Sequence, residues 1–229
     1  MLWIIIVYLL QENERNVILK KLTLVVSIVI AFSLLLSITF FNTEAETGFT
    51  DVGDRYQEAV DYIVAEKYAQ GINGTQYGTA NPIKRIDAAV MVARVMGFSE
   101  TTASPSSGFT DVPGNRAWAV DALRQAGVIN GKTATSFGSQ QSMTRAEMAK
   151  IVASAYELSS KTGTIPFTDV NPRFQPYVAA LVESGVALGK TATQFGAENN
   201  VTRGEFALFV FRGDHLSIDT TPPEVISVD

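Results

Sequence analysis

The chain has no cysteine and one histidine, His215. That excludes a disulfide framework and a thiolate metal site, and any site built on two histidines. Charge is sparse: 18% of residues are Asp, Glu, Lys or Arg, and the formal net charge is −5. An acidic balance argues against nucleic acid as the main partner. Enzyme signatures are also missing. GKTAT at 131–135 lacks the upstream glycine and lysine context of a phosphate-binding loop. Spacing singles out no carboxylate pair for sugar hydrolysis among the 23 acids. His215 lies outside the repeated region, so no nucleophile–histidine pairing is supported. The chain reads as non-catalytic, with no cofactor and no metal site.

One long apolar run is present. Leu22–Phe41 holds twenty residues without a charge, preceded by Lys20 and Lys21 and followed by NTEAE. This is the pattern of a secretory signal, with a cut expected after Ala45 and Thr43 at the −3 position. The other reading is an uncleaved anchor, since twenty apolar residues span a bilayer. Either way the remainder leaves the cytoplasm, and membrane contact is confined to this segment. A second apolar run, MLWIIIVYLL, precedes it. Initiation near Val17 would give an ordinary signal start, so residues 1–45 are read as an N-terminal extension and signal peptide. Their loss removes three cations (Arg15, Lys20, Lys21) and three acids (Glu12, Glu14, Glu44), so the exported part stays at −5.

What the chain does have is a repeat. Phe-Thr-Asp-Val occurs at 49–52, 109–112 and 167–170. In each copy an aromatic–glycine pair follows 28 residues after the Phe: Tyr77-Gly78, Phe137-Gly138 and Phe195-Gly196. An arginine follows 8 residues later: Arg85, Arg145 and Arg203. Over 44 positions counted from the Phe, copies two and three share 21 residues and copies one and two share 13. Copy one is the most diverged. The repeats are placed at 49–104, 109–160 and 167–213.

Each copy reads as helix, loop, helix. The first helix of copy two is expected over about Ala117–Ala126, with Val120 and Leu123 on one face. Gly127, and Gly185 in copy three, are expected as left-handed C-terminal caps. Copy one has Lys67 there, so its first helix is expected to run longer or end differently. The loop GKTATSFG at 131–138 returns as GKTATQFG at 189–196. Its one large apolar residue, Phe137 in copy two, is expected to plug the loop into the core. Such preservation of small polar residues marks a required loop shape or a required contact. The second helix opens with a capping box, Thr144 with Glu147 and Thr202 with Glu205. FALFVF at 206–211 is apolar almost all round, which suits a helix buried by several neighbours. Three such helices are expected to form a central bundle.

The arginine breaks a local rule. In all three copies it stands in the first turn of the second helix, where a cation opposes the helix dipole at about 0.3–1 kcal/mol. One reading is a ligand contact, an arginine fork beside free backbone N–H groups holding a carboxylate or phosphate. The other is an internal pair with the motif aspartates Asp51, Asp111 and Asp169. Lys132 and Lys190 either add positive charge or are solvated surface lysines. Trp118 either stacks on a sugar ring or packs its helix against the core.

Together these motifs resemble the S-layer homology domain. The matching pieces are the three FTDV runs, the Gly-x-x-x-x-x-Phe/Tyr-Gly loop, and TRAE at 144–147 with TRGE at 202–205. The likeness covers about 49–213. It implies an all-α fold of three tandem helix-loop-helix repeats, arranged as a pseudo-threefold, three-pronged spindle around a central three-helix bundle. It also implies secretion to the cell wall or surface layer, and non-covalent anchoring to a pyruvylated secondary cell wall polysaccharide attached to peptidoglycan. Its motif arginines meet the ligand carboxylate, which here implies Arg145 and Arg203. Arg85 is set apart, because Lys84 replaces the capping Thr and Asp87 replaces Glu, so its groove is expected to be weaker or different. The preserved loop and the arginine turn are expected to form two walls of one groove.

Beyond the repeats, TTPP at 220–223 reads as a stiff linker, and Glu224–Val228 alternates like the start of a strand. Residues 214–229 are therefore read as a linker and the start of a further domain. Self-assembly into a surface lattice, through that further domain, is the rival function.

Overall fold

A computed structural model of the protein describes residues 48–216. The signal segment, its cut after Ala45, the linker at 220–223 and the strand at 224–228 lie outside the described residues. Those described form six α-helices: α1 (Asp54–Ala65), α2 (Arg85–Val95), α3 (Ala117–Gln125), α4 (Arg145–Ala155), α5 (Gln175–Glu183) and α6 (Arg203–Asp214). Single 3₁₀ turns at Gly114–Arg116 and Pro172–Phe174 lead into α3 and α5. Among the described residues there is no strand and no helix long and apolar enough to cross a membrane.

The local rules explain the helix ends. Thr144 and Thr202 accept from the N–H of Glu147 and Glu205, and those glutamates bond back, so both capping boxes form. Gly127 and Gly185 take φ of 74° and 75° after α3 and α5. The first repeat meets half of its expectation: α1 has 12 residues against 9 in α3 and α5, because it begins where they are led in by 3₁₀ turns, but it ends at the matching position. Lys67 takes the same left-handed conformation, at φ 61°, at a cost of about 1 kcal/mol for an L side chain.

Helices pair between repeats rather than within them. α3 lies on α2, α5 on α4, and α1 closes the circuit on α6. The second helix of each repeat therefore carries the first helix of the next. α4 also touches α2 and α6. Three equivalent residues, Ile83, Met143 and Val201, close a ring of backbone hydrogen bonds. Ile83 N donates to Val201 O at 2.9 Å, Met143 N to Ile83 O at 3.0 Å, and Val201 N to Met143 O at 2.9 Å. All three side chains are fully buried.

The motif aromatics anchor each loop to this core. Phe109 meets Phe137 at 5.8 Å, Phe167 meets Phe195 at 5.6 Å, and Phe49 meets Tyr77 at 5.9 Å between ring centroids. Phe137, Phe195 and Tyr77 are wholly buried, and truncating a ring so placed costs about 3–5 kcal/mol. Copy one differs here too: among the described residues the buried Tyr77 hydroxyl has no hydrogen-bond partner.

Candidate functional site

The motif aspartates come first, because they shape the loop. Asp111 accepts from the N–H groups of Phe137, Gly138 and Ser139 at 2.7, 2.7 and 3.0 Å. Asp169 does the same with Phe195, Gly196 and Ala197, and Asp51 with Tyr77, Gly78 and Thr79. Burial raises these carboxyls, but the N–H donors outweigh it, holding Asp111 at about 2 and lowering Asp51 and Asp169. The loop also needs its glycine: a Cβ on Gly131 would lie 2.4 Å from the Phe109 ring and 2.5 Å from Thr133 O. So the aspartates do not pair with the arginines. They brace a turn whose carbonyl groups point elsewhere.

Those carbonyls receive an arginine from the preceding repeat. Arg145 donates through Nε to Phe195 O and through Nη2 to Leu188 O, both at 3.0 Å. Arg85 makes the same bonds to Phe137 O (3.0 Å) and Asn130 O (3.3 Å). Arg203 closes the circuit on Tyr77 O (3.0 Å) and Gln70 O (2.9 Å). Each guanidinium stacks over the loop aromatic at 4.7–4.8 Å. Two expectations are corrected. A loop shares its wall with the arginine of the repeat before it, not with its own. The helix N-termini are also not free. Arg145 N and Ala146 N donate to Asn199 O and Ala197 O, Arg203 N and Gly204 N to Asn81 O and Thr79 O, and Arg85 N and Ile86 N to Gln141 O and Ser139 O. Folding uses those donors up.

The third fork position separates the three arginines. Arg85 Nη1 lies 3.2 Å from Glu147, which Lys132 also contacts. Arg145 Nη1 lies 3.9 Å from Glu205, which Lys190 approaches at 3.6 Å. Arg85 and Arg145 are 4% exposed, and burial pulls both guanidinium groups below the usual value despite these partners. Arg203 is half-buried and has no carboxylate within ion-pairing distance among the described residues. The acid at the matching position is Asp87, one methylene shorter, and it pairs with Arg116 instead. At the lysine position stands Ile72, 52% exposed.

Two grooves result. One, of about 480 Å³, is lined by Arg203, Gln70, Ile72, Asp87, Arg94, Arg116 and Trp118, among others. Trp118 is half-buried, packs on the core and also faces this groove. The other, of about 280 Å³, is lined by Arg85, Lys132, Glu147, Lys150 and Arg173 with neighbouring apolar residues. Sequence reading missed the pairing role of Glu147 and Glu205, which looked like caps alone. It also missed Ile72, Arg94, Arg116, Lys150 and Arg173. Only Ile72 carried a signal, as the apolar residue in a lysine position. The departures at Lys84 and Asp87 were seen but assigned to Arg85. Asp87 in fact lines the groove of Arg203, and Lys84 bonds Gln140 at 2.8 Å.

Residues 108–149 and 166–207 each match the model of the S-layer homology domain. It is 32% identical over 192 residues to a cell wall amidase of Bacillus anthracis, covering 79% of this chain and 34% of that protein. It is 35% identical over 144 residues to the surface-layer 125 kDa protein of Lysinibacillus sphaericus, covering 62% of this chain and 12% of that one. It is 28% identical over 166 residues to an S-layer protein of Bacillus thuringiensis subsp. finitimus, covering 69% and 20%. The chain thus spans about a third or less of the length of these relatives. Domains of this kind anchor surface proteins to the cell wall and are not themselves catalytic, and they place this protein at the cell wall or cell surface.

Proposed function

We propose that the protein is a non-catalytic anchor that holds a surface protein to the wall by binding a pyruvylated secondary cell wall polysaccharide attached to peptidoglycan. Residues 49–104 act as a third repeat of the same family, and the three repeats form a three-pronged spindle around a central bundle. The observation that carries the reading is Arg203. Its guanidinium keeps one edge without a carboxylate, in a groove large enough for a ligand, beside the half-buried indole of Trp118 and the apolar Ile72. A fork so placed suits a planar carboxylate, and an indole suits the face of a sugar. Arg85 and Arg145 hold the loops that frame the grooves. Lys132 and Lys190 line the rims with Glu147 and Glu205, and Asp51, Asp111 and Asp169 brace the loops. Contacts repeated along one polymer raise avidity beyond any single site.

Co-sedimentation of the protein with purified sacculi, before and after the secondary polymer is stripped, tests this reading. Binding is expected to vanish on stripping. Arg203→Ala is expected to weaken it about tenfold or more, and Arg203→Lys to restore it only in part, because an ammonium cannot replace the fork. Binding that survives stripping would move the partner to peptidoglycan itself. Binding that needs the polymer but ignores Arg203 would remove it from the site.

A second reading has its own support. The relatives include S-layer proteins and a cell wall amidase, so the anchor serves either a lattice-forming subunit or a surface enzyme. Light scattering of the protein with and without calcium separates an assembling subunit from a monomeric anchor.

A further inference from the structure

The loop tip of the first repeat departs from the other two in a way the fold does not require. Copies two and three hold this turn with a threonine. Thr135 N and Ser136 N donate to Thr133 Oγ1 at 3.3 and 3.0 Å, and Thr193 N and Gln194 N to Thr191 Oγ1 at 3.4 and 3.1 Å. An alanine follows each threonine, Ala134 and Ala192. Copy one has Asn73 and Gly74 at these positions, both exposed. Asn73 Oδ1 accepts from Thr75 N at 2.9 Å and from Thr75 Oγ1 at 3.2 Å, and Asn73 Nδ2 donates to Gln76 Oε1 at 3.0 Å. A hydroxyl oxygen holds the turn in the other copies, so the turn itself calls for neither the amide nor the glycine.

Asparagine is chemically labile, and most so before glycine, whose nitrogen has no side chain beside it to block its approach to the amide. Here that approach is open. A Cβ on Gly74 would meet nothing within 4 Å, and the Gly74 N–H has no hydrogen-bond partner among the described residues. The two donors on Asn73 Oδ1 polarise the side-chain carbonyl and stand where negative charge grows when a nucleophile adds. The other Asn-Gly pair among the described residues, Asn130-Gly131, lacks this freedom. A Cβ on Gly131 would lie 2.4 Å from the Phe109 ring. Asn130 O accepts from Arg85 at 3.3 Å. With the Asn130 side chain turned so that its nitrogen donates to Ile129 O, its oxygen accepts from Lys150 Nζ at 2.7 Å.

We propose that Asn73-Gly74 is a self-modifying site, at which water converts Asn73 to aspartate and isoaspartate. The Gly74 nitrogen bonds to Asn73 Cγ, the Cγ–Nδ2 bond breaks, and Nδ2 leaves as ammonia with the proton that Gly74 gives up. Water then opens the cyclic imide. Cleavage at Cγ yields aspartate. Cleavage at the backbone carbonyl yields isoaspartate, with one more methylene in the main chain. Either product puts a carboxylate next to Ile72 and ends the donation to Gln76. Isoaspartate also disturbs the clamp in which Ile72 N and Asn73 N donate to Gln76 O at 2.8 and 3.3 Å. That clamp lies between Gln70 O and Tyr77 O, the two carbonyls that hold Arg203. The reaction therefore ages one wall of the groove of Arg203. Its effect on anchoring rests on the wall-polymer reading above; the chemistry does not.

The intact protein, warmed in mildly alkaline buffer beside a urea-unfolded sample, tests it. Digestion and mass spectrometry follow both Asn-Gly pairs, since conversion adds about 1 Da and the two products separate by chromatography. In the folded protein Asn73 is expected to convert about tenfold faster than Asn130, and unfolding is expected to bring the two rates together. Asn73→Thr, which restores the residue of the other copies, is expected to abolish conversion there and keep the fold. Aged wild type is expected to bind the isolated wall polymer about threefold more weakly than fresh protein, and aged Asn73→Thr as well as fresh. No conversion at Asn73 in the folded protein, or equal folded-state rates at the two asparagines, would overturn the site. Conversion in a protein that binds no polymer even when fresh would leave the site standing and end the anchoring reading. Conversion with undiminished polymer binding would overturn the link to the groove of Arg203.

Discussion

In the groove of Arg85, one glutamate from α4 receives both the arginine and the lysine of the facing loop. In the groove of Arg203, the same positions hold Asp87 and Ile72, and the acid turns away to Arg116. The backbone is the same in both, down to the two carbonyls that each arginine reaches. A repeated frame therefore fixes where the arginine stands, while two residues outside the turn decide whether its charge is spent internally. One missing methylene and one missing lysine leave Arg203 facing its groove.

The largest test of that contrast is on the arginines themselves. Arg145→Ala leaves two loop carbonyls and Glu205 without their buried partner and is expected to cost about 3–5 kcal/mol in urea unfolding. Arg203→Ala, half-buried and without an ion pair, is expected to cost about 1–2 kcal/mol while losing wall binding. Equal losses would erase the distinction drawn between them.

Acid comes next, and it should strike all three loops. The motif aspartates have carboxyls depressed in the fold, Asp111 to about 2, against about 3.9 in an unfolded chain. Their contribution is whole above the unfolded value and lost as pH falls through about 2. The unfolding midpoint should therefore drop between pH 4 and pH 2. Asp111→Asn should flatten that drop and cost about 1–2 kcal/mol at neutral pH.

The divergence of the first repeat gives smaller effects. Tyr77→Phe removes a buried hydroxyl without a partner and is expected to stabilise by about 1 kcal/mol. Lys67→Gly relieves the left-handed lysine and is expected to gain up to about 1 kcal/mol. Thermal melts read both. Smallest in stability is the exchange Ile72→Lys with Asp87→Glu, which should rebuild the Lys–Glu–Arg arrangement around Arg203. It is expected to add about 0.5 kcal/mol and to weaken wall binding. Unchanged binding would mean that the free edge of Arg203 is not what the polymer contacts.

Much of this was legible along the chain. The capping boxes at Thr144 and Thr202, the left-handed Gly127 and Gly185, and the buried Phe137 follow from rules that act within a few residues. The arginines announced themselves by standing at the wrong end of a helix dipole. Their partners did not. Asp111 looked like a counter-ion for them, yet it binds its own loop. Arg85 looked weakened by Lys84 and Asp87, yet it is 4% exposed with every fork position filled. The error was one of register, since each motif was read against its own copy.

The sequence by itself determined the local geometry: where helices start and stop, which loops need glycine, and which aromatic rings are buried. These depend on neighbours a few residues away, so spacing encodes them. Only the tertiary structure decided which repeat each loop faces. Because α1 closes on α6, and α3 and α5 lie on the second helix of the repeat before them, every groove is built from adjacent copies. Whether an arginine is neutralised there depends on side-chain reach across that junction, a distance that sequence order does not record.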